Sequence, residues 1–200
     1  RSSYYAIPAG HSTARLGTWE IGPRIALFEA IDKALPDSQI IAEDLGFITE
    51  DVTELLKQTG FPGMKMLHFA FYDEESEYLP RNYPDANCIV YSASHDSDCT
   101  YTWYYNLNGK ALERFKEEVP VRKGQTATEA LIEFAMMSPA NLAMVPIQDY
   151  LELPNSEGRI NTPAVAEGNW TFRVKPTYAT KKLKARVLDM AQRTNRANNE

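Results

Sequence analysis

The sequence predicts an α/β fold in which short buried strands alternate with amphipathic helices. Four short apolar runs are separated by segments with helical periodicity, a pattern that favours βα units over an all-α or all-β protein. Each run is followed by a cluster of acidic, amide, histidine or aromatic residues. In a parallel βα arrangement the carboxyl ends of the strands share one rim, where active sites are built. Four such units are half of an eight-stranded barrel, so we expect half of a (β/α)8 barrel with four parallel strands.

Prolines, glycines and capping residues bound the predicted elements. Pro23 suits the first turn of a helix, where its missing N–H is not needed, and Pro36 closes the same helix. Thr126 and Glu129 form a capping box at the start of another helix. The predicted helices cover residues 23–35, 49–60, 100–107, 111–118, 126–137 and 177–197. The predicted strands cover residues 39–43, 64–69, 87–92 and 142–147.

The composition is that of a globular protein. Of the 200 residues, 44% are hydrophobic and 24% are charged, enough for one domain with a buried core. The net charge of −6 argues against broad nucleic-acid binding, which requires basic residues to neutralise phosphates. No apolar run approaches the ~20 residues that cross a bilayer, so we expect no membrane association. Cys88 and Cys99 are too few for a disulfide framework and fit a reducing compartment.

The first candidate acid is Glu43, which stands beside Asp44 at the end of the apolar run 39–43. Successive side chains on a strand point to opposite faces, so one of the two carboxylates faces a cleft. An acidic pair at a strand end is also a common solvated cap, and Asp44 would equally serve to position Glu43. The residues by themselves leave these alternatives open.

The second candidate group is His95-Asp96-Ser97-Asp98, which follows the third apolar run. It places an imidazole and two carboxylates at a strand end, where Glu43 and Asp96 would form a glycosidase-like carboxylate pair. The same residues also fit a capped turn, because Asp and Ser side chains bond to their own backbone. Metal binding is a third alternative, but no HExxH or CxxC motif accompanies the group, so we expect no metal and no cofactor.

Aromatic residues are frequent near the same strand ends, whereas basic residues do not gather there. Aromatics at helical spacing are usually core residues, yet an acidic, aromatic-lined cleft also suits neutral sugars, whose apolar faces stack on rings. No Gly-rich phosphate-binding motif and no nucleophile elbow occurs. The aromatic residues are Phe69, Phe71, Tyr72, Tyr101, Trp103, Tyr104 and Tyr105.

Four segments match a known family. The stretch 40–71, IIAEDLGFITEDVTELLKQTGFPGMKMLHFAF, closely resembles the amylomaltase or disproportionating-enzyme family of 4-alpha-glucanotransferases, glycoside hydrolase family 77. Residues 5–10 are similar to the YWxIPAG segment of that family, and residues 90–105 to its YTGTHDND segment. SPANLAMVPIQD at 138–149, with the RIN and GNW motifs that follow, is similar to its SPARLAIYPLQD, RMN and GNW series. The resemblance covers nearly the whole chain.

The resemblance implies a (β/α)8 catalytic barrel, of which residues 1–200 are a single fragment from the carboxyl-terminal half. It implies transfer of alpha-1,4-glucan segments between glucans by a retaining double displacement. Glu43 maps to the acid/base and Asp96 to the carboxylate that stabilises the transition state. The nucleophile belongs to an RIDHFRG motif that this sequence lacks, and Arg1 begins just after its place, so we expect the chain alone to be inactive. The substrate-binding residues that the resemblance implies are His95, Phe69, Asp73 and Asn169.

Three residues depart from the family pattern: His68 replaces a Gln, Ala93 a Gly, and Ser97 an Asn or Thr. These changes keep the catalytic carboxylates and put acceptor preference in question. The alternatives are an alpha-amylase-like hydrolase and a non-catalytic glycan-binding or interaction fragment. The expected partners are alpha-1,4-glucans and, through the open edges of a half barrel, other copies of the chain. The expected compartment is the cytoplasm, or the plastid stroma in a plant.

Overall fold

Five strands and eight α-helices form in the part of the chain that the computed structural model describes, residues 2–46 and 48–197. The mixture of helices and strands confirms the α/β class. The chain divides into two units, residues 1–64 and residues 65–200.

The first unit begins with an antiparallel hairpin that the apolar pattern did not predict. Strand β1, Ser3–Ala6, pairs with strand β2, Thr18–Ile21. The ring of Tyr5 meets the ring of Trp19 edge-on, with centroids 5.3 Å apart. Most side chains of both strands are exposed, so the strands lack the alternation of buried and exposed residues that identifies a strand in a sequence.

Two helices complete the first unit, α1 at Ile25–Ala34 and α2 at Glu50–Thr59, and both lie within the predicted ranges. Gly60 ends α2 with a φ of +66°, a left-handed conformation that glycine adopts without steric cost. Thr49 occupies the N-cap position of α2, but its side chain bonds to the Asp51 carboxylate rather than to the helix backbone.

The strand predicted at residues 39–43 does not form, and this prediction was wrong. The N–H of Ala42 donates to the C=O of Pro62 at 2.9 Å, a bond of the kind that begins a ladder. Pro62 has no N–H with which to return a bond, and the N–H of Met64, the next that could, donates to the Asp44 side chain instead, so the ladder does not continue. Glu43 therefore lies in an irregular segment rather than at the end of a strand.

The other three predicted strands form one sheet in the order β3, β4, β5. They cover Gly63–Met66, Cys88–Tyr91 and Leu142–Met144, and each is shorter than predicted. β4 and β5 run parallel, with Val90 opposite Ala143. β3 ends at Met66 because the next residues turn into a short 3-10 helix, Leu67–Phe69. In the described residues this sheet thus has three strands, not the four that were predicted.

Three helices of the second unit pack with this sheet around a hydrophobic core. They are α3 at Thr100–Asn106, α4 at Gly109–Glu118 and α5 at Ala127–Met137, close to the predicted ranges. Thr126 and Glu129 form the predicted capping box at the start of α5. The largest side chains of this core include Leu67, Phe71, Leu79, Val90, Trp103, Phe115 and Leu131.

Three further helices follow the sheet, α6 at Ile147–Tyr150, α7 at Asn155–Gly158 and α8 at Lys181–Arg193. α8 begins after the predicted residue 177, because Thr180 caps it by accepting a hydrogen bond from the N–H of Leu183 at 3.0 Å. Arg186 of α8 pairs with Glu129 of α5, with Nη1 and Oε1 2.7 Å apart. This ion pair holds the basic helix against the rest of the second unit.

Candidate active site

A tight turn follows β4 and carries two of the predicted site residues. The N–H of Ser94 donates to Ser97 Oγ at 2.9 Å, and Ser97 Oγ donates to the C=O of Ser94 at 3.0 Å. These bonds close the turn around His95 and Asp96, whose side chains are 51% and 50% exposed. The imidazole Nε2 and the carboxylate Oδ2 are 3.4 Å apart. The same loop is therefore both a capped turn and a surface that presents an imidazole and a carboxylate to solvent.

Asn161 holds this turn by two hydrogen bonds, one from its backbone and one from its side chain. Its backbone N–H donates to the C=O of His95 at 3.1 Å, and its Nδ2 donates to Asp96 Oδ1 at 2.5 Å. One carboxylate oxygen of Asp96 is thus held by an amide, while the other lies next to His95. A hydrogen bond from a neutral amide fixes the orientation of a carboxylate and adds no charge to it.

Trp170 stands beside His95 in a backbone conformation that is rare for a large side chain. The two ring centroids are 5.2 Å apart, and Trp170 is 59% exposed. Its φ is +61°, in the left-handed region that bulky residues seldom adopt. Such a conformation costs about 1–3 kcal/mol and persists where surrounding contacts impose it. One such contact is the hydrogen bond from the N–H of Trp170 to the C=O of Ile160 at 2.7 Å.

A buried carboxylate ties the two ends of the turn together. Asp149, 1% exposed, accepts hydrogen bonds from Ser92 Oγ at 2.7 Å, from the N–H of Thr100 at 2.9 Å and from Thr100 Oγ1 at 2.8 Å. Burial raises the pKa of Asp149 above its ordinary value, although these three bonds work in the opposite direction. Ser92 precedes the turn and Thr100 follows it, so one side chain closes the loop that carries His95 and Asp96.

His68 extends this buried network. Its Nε2 lies 3.0 Å from Thr100 Oγ1, and its ring stacks on Trp103 with centroids 4.4 Å apart. The single hydroxyl hydrogen of Thr100 goes to Asp149, so the Thr100 oxygen accepts and His68 carries its proton on Nε2. Burial lowers the pKa of His68 from 6.5 to about 3, so the imidazole is neutral at physiological pH. The neutral imidazole thus donates an N–H to Thr100, as an amide side chain at this position could.

In the first unit, Glu43 is exposed and its neighbour Asp44 is anchored. The N–H of Met64 donates to Asp44 Oδ1 at 2.6 Å. A Cβ atom at Gly63 would overlap the Asp44 carboxylate, so any larger residue there would displace Asp44 from this position. Asp44 thus acts on the backbone of β3, and Glu43 is the exposed carboxylate of the pair.

Two of the other predicted substrate-binding residues present their side chains to solvent. Phe69, in the 3-10 helix that follows β3, is 45% exposed and meets Tyr78 edge-on at 5.6 Å. Asp73 is also exposed, and its Oδ1 accepts a hydrogen bond from the N–H of Glu75 at 3.0 Å. Both side chains belong to the segment that follows β3.

Asn169 uses its side-chain amide within its own loop. Oδ1 accepts a hydrogen bond from the N–H of Thr162 at 2.9 Å, and Nδ2 donates to the C=O of Val165 at 2.8 Å. The amide therefore closes the loop 162–169, and a contact with substrate stays a prediction. The same residue lines an open groove of about 540 Å³, within the size range of ligand sites. Other residues of the groove include Asn155, Arg159, Phe172, Arg173 and Tyr178.

The composition of the sequence did not single out Arg159, Asn161 or Trp170 as site residues. They lie in a stretch rich in Pro, Gly and Asn, which is typical of a surface loop. These residues could have been found only from the RIN and GNW motifs of the family resemblance. Those motifs mark a family segment but do not give each residue a role.

The described residues contain no group of three or more His, Cys, Asp or Glu side chains that could hold a metal ion. The helices in that same part of the chain are too short or too polar to cross a membrane.

Comparisons with known proteins agree on one family. The sequence profile of glycoside hydrolase family 77, described as 4-alpha-glucanotransferase, matches residues 2–180. The chain is 37% identical over 189 residues to the 4-alpha-glucanotransferase of Streptococcus pneumoniae serotype 4, and 40% identical over 176 residues to that of Synechocystis sp.. These alignments cover 94% and 87% of this chain but 37% and 35% of the relatives. The chain thus spans little more than a third of the length of these curated relatives.

Solved structures give the same result for the fold. The amylomaltase from Streptococcus agalactiae in complex with acarbose superposes with a TM-score of 0.91 at 33% identity. That superposition covers 98% of this chain and 40% of the neighbour. The amylomaltase from Corynebacterium glutamicum has a TM-score of 0.69 at 16% identity, which speaks for the fold alone.

We expect His68 to make the protein less stable in acid. Its folded-state pKa lies below its unfolded-state value, so between pH 6.5 and about 3 the unfolded chain binds a proton that the folded chain does not. The free energy of unfolding then falls as the pH falls, with a slope of up to about 1.4 kcal/mol per pH unit. Asp149, whose folded pKa is raised, gives a slope of opposite sign above pH 3.8. His68→Gln keeps an N–H donor for Thr100 and removes the part of the pH dependence of the unfolding free energy that arises from His68.

Urea unfolding of the 200-residue chain at pH 7, 6 and 5 measures this effect. His11→Gln, at an exposed histidine, is the matched control and should unfold in parallel with the unsubstituted chain. Parallel pH curves for His68→Gln and the unsubstituted chain would contradict the assignment.

We expect Gly63→Ala to destabilise the first unit by about 1–3 kcal/mol, since the added methyl group forces Asp44 out of its place. Asp44→Ala removes the overlapping carboxylate. In that background Gly63→Ala should therefore cost less than half as much. Urea unfolding of the two single variants and the double variant gives the comparison. Additive costs would show that the glycine is not required by Asp44.

Proposed function

The chain belongs to glycoside hydrolase family 77, the 4-alpha-glucanotransferases, and from this we propose that the whole protein transfers alpha-1,4-glucan segments between glucans by a retaining double displacement. By the whole protein we mean the family-length chain that carries these 200 residues. Family membership also confirms the resemblance drawn from the four sequence segments. The observation that carries the proposal is the turn after β4, where Asp96 is held by Asn161 beside His95 and exposed to solvent.

We assign Asp96 the stabilisation of the oxocarbenium-like transition state. A fixed carboxylate that needs no reorganisation lowers the energy of a positive charge developing next to it. Asn161 holds the Asp96 carboxylate in one orientation, and the neighbouring His95 offers ring nitrogens to sugar hydroxyls. Phe69 and Trp170, each about half exposed, offer apolar faces on which a pyranose ring can stack.

We assign Glu43 the acid/base role. In a retaining mechanism one carboxyl group protonates the leaving oxygen and a second, roughly 5–5.5 Å away, attacks the anomeric carbon. The anchoring of Asp44 to Met64 fixes the backbone next to Glu43, as an acid that must meet a glycosidic oxygen requires. We assign no nucleophile among these residues, because the family motif that carries it has no match in the sequence.

For the fold we propose that the three-stranded sheet and its helices are part of the carboxyl-terminal half of a (β/α)8 barrel, and that residues 1–200 belong to one catalytic domain. The Streptococcus agalactiae neighbour supports this, since it matches 98% of the chain. Its complex with acarbose supports an oligosaccharide ligand at the corresponding cleft, for which we predict contacts to His95, Asp73 and Asn169. We place the protein in the cytoplasm, or in the plastid of a plant, as the name of the chloroplastic Arabidopsis thaliana relative suggests.

We propose that the chain on its own associates with further copies. The first unit leaves Leu16, Trp19 and Ile21 between 66% and 79% exposed, and such apolar surface is normally covered. In the whole protein the rest of the barrel would cover it. Sedimentation velocity of the 200-residue chain should therefore show dimers or larger species at micromolar concentration. A stable monomer across that range would contradict self-association.

The proposed activity is tested by Glu43→Gln in the whole protein. Incubation of the unsubstituted protein with maltotriose should give a ladder of longer and shorter glucans, which chromatography resolves. Removal of the acid/base should reduce transfer by about 10²–10⁴-fold while glucan binding persists. Glu50→Gln, at an exposed glutamate of the same unit, is the matched control and should keep full activity.

The products also separate the alternatives. Maltose and glucose without longer glucans would favour the alpha-amylase-like hydrolase, because water would then be the acceptor. Binding of maltooligosaccharides without any turnover would favour the glycan-binding alternative. Full transfer by Glu43→Gln would remove Glu43 from the acid/base role.

A further inference from the structure

The candidate turn has a second carboxylate, Asp98, which the proposed mechanism does not use. Asp98 Oδ1 accepts a hydrogen bond from Asn155 Nδ2 at 2.7 Å and forms an ion pair with Arg159 Nη1. The Arg159 side chain is 24% exposed and that of Asp98 31%, so water screens this pair less than it screens a fully exposed pair. Asn155 Oδ1 in turn accepts the N–H of Cys99 at 2.8 Å. The start of α7 is therefore bonded to the end of the turn.

Arg159 also reaches the residue that holds Asp96. Its Nε donates to the C=O of Asn161 at 3.0 Å. Asn161 then donates from its backbone N–H to His95 and from its side chain to Asp96. One guanidinium thus joins Asp98, at the end of the turn, to the backbone of Asn161, whose side chain orients Asp96 at the centre of the turn.

The same segment sets the position of Trp170. The residue after Arg159, Ile160, accepts the hydrogen bond from the N–H of Trp170 that accompanies its left-handed backbone. Strain of this kind persists only while neighbouring bonds impose it. The placement of the indole beside His95 therefore depends on where Arg159 holds Ile160.

We propose that Arg159 is a positioning residue of the glucan-transfer site, which orients the Asp96 carboxylate through Asn161 and the Trp170 indole through Ile160. This inference rests on the proposed function, because it gives Arg159 a part in the same reaction. Arg159 touches no reacting atom in this assignment. It sets the geometry of two groups that contact the substrate, and of these Asp96 acts on the reacting centre.

The residue before Arg159 is a glycine that lets α7 lie close to the end of the turn. A Cβ atom at Gly158 would lie 2.9 Å from Cys99 Sγ and 2.9 Å from Leu153 Cβ, closer than packed atoms allow. Only a glycine lets α7 come this near to the end of the turn. The arginine that follows thereby reaches Asp98, and its planar fork supplies two N–H groups in different directions. A lysine has one ammonium group and cannot serve Asp98 and the Asn161 carbonyl with that fixed geometry.

The kinetic test uses Arg159→Met and Arg159→Lys in the whole protein. We expect kcat for glucan transfer to fall about 10- to 100-fold in both, since displacement of a catalytic group by about 1 Å has effects of this size. KM should rise as well, because the displaced Trp170 indole no longer stacks on the bound sugar ring, whereas the fall in kcat reports the loss of Asp96 orientation. Arg81→Met removes an exposed ion pair to Glu118 in the same unit and should leave kcat unchanged.

Coupling to Asn161 separates positioning from a general loss of stability. Asn161→Ala and the double variant Arg159→Met/Asn161→Ala should have similar kcat values, because both residues act on Asp96 along one path. The proposal would be overturned if the kcat losses of the two single variants multiplied in the double variant. It would also be overturned if Arg81→Met lowered kcat as much as Arg159→Met does, or if Arg159→Met kept full activity.

A second readout does not depend on activity. The His95 and Trp170 ring centroids are 5.2 Å apart, so in the 200-residue chain the indole should shift the NMR signals of the His95 ring protons, and Trp170→Ala would give their positions without the indole. Arg159→Met should move these signals most of the way to the Trp170→Ala positions, and Arg81→Met should not move them. Unchanged His95 signals in Arg159→Met would overturn the positioning role. Failure of the unsubstituted whole protein to make a glucan ladder would overturn the proposed function, and the NMR result would then decide the positioning of Trp170 by itself.

Discussion

The geometry of the site depends first on a carboxylate that does not belong to it. Asp149 is buried, and an ionised carboxylate in such a place is stable only when its oxygens are well supplied with donors. Ser92 and Thr100 supply three hydrogen bonds, and these two residues flank the turn that presents His95 and Asp96. These bonds offset part of the cost of burying the charge, and they also fix both ends of the loop.

This arrangement explains how a histidine can occupy a position where the family pattern has a glutamine. His68 is neutral because burial keeps its pKa far below 6.5, and its Nε2–H donates to Thr100 as an amide would. Thr100 can then direct its own hydroxyl hydrogen to Asp149. The stacked Trp103 ring excludes water on one face of the imidazole. A neutral histidine can thus supply the N–H donor that an amide would otherwise supply to Thr100.

Above this buried network the site is held by cross-links between loops rather than by the sheet. Asn161 joins two loops by bonding to His95 and Asp96, and Arg159 joins the same two by bonding to Asp98. The turn begins where β4 ends, and both β4 and β5 are short strands. The polar side chains orient the turn residues one by one, because each hydrogen bond fixes a single group in one direction. A longer strand would fix only the backbone. Segments of this kind are where enzymes commonly place their functional residues.

The sequence by itself determined the α/β class, three of the four predicted strands, the main helices and the identity of the candidate carboxylates. It could do so because apolar periodicity and capping residues act over a few neighbouring positions, as Thr126 and Glu129 show. It failed at residues 39–43, where an apolar run predicted a strand. On the segment opposite, Pro62 has no N–H to donate and the N–H of Met64 bonds to Asp44, so no ladder forms. Tertiary structure alone decided that Asp44 bonds to β3, that Asn169 closes its own loop, and that Arg159 lies against Asp98. The contacts of Asp44 and Arg159 join residues far apart in the chain, and those of Asn169 join residues of one irregular loop, so no periodic pattern in the sequence encodes any of them.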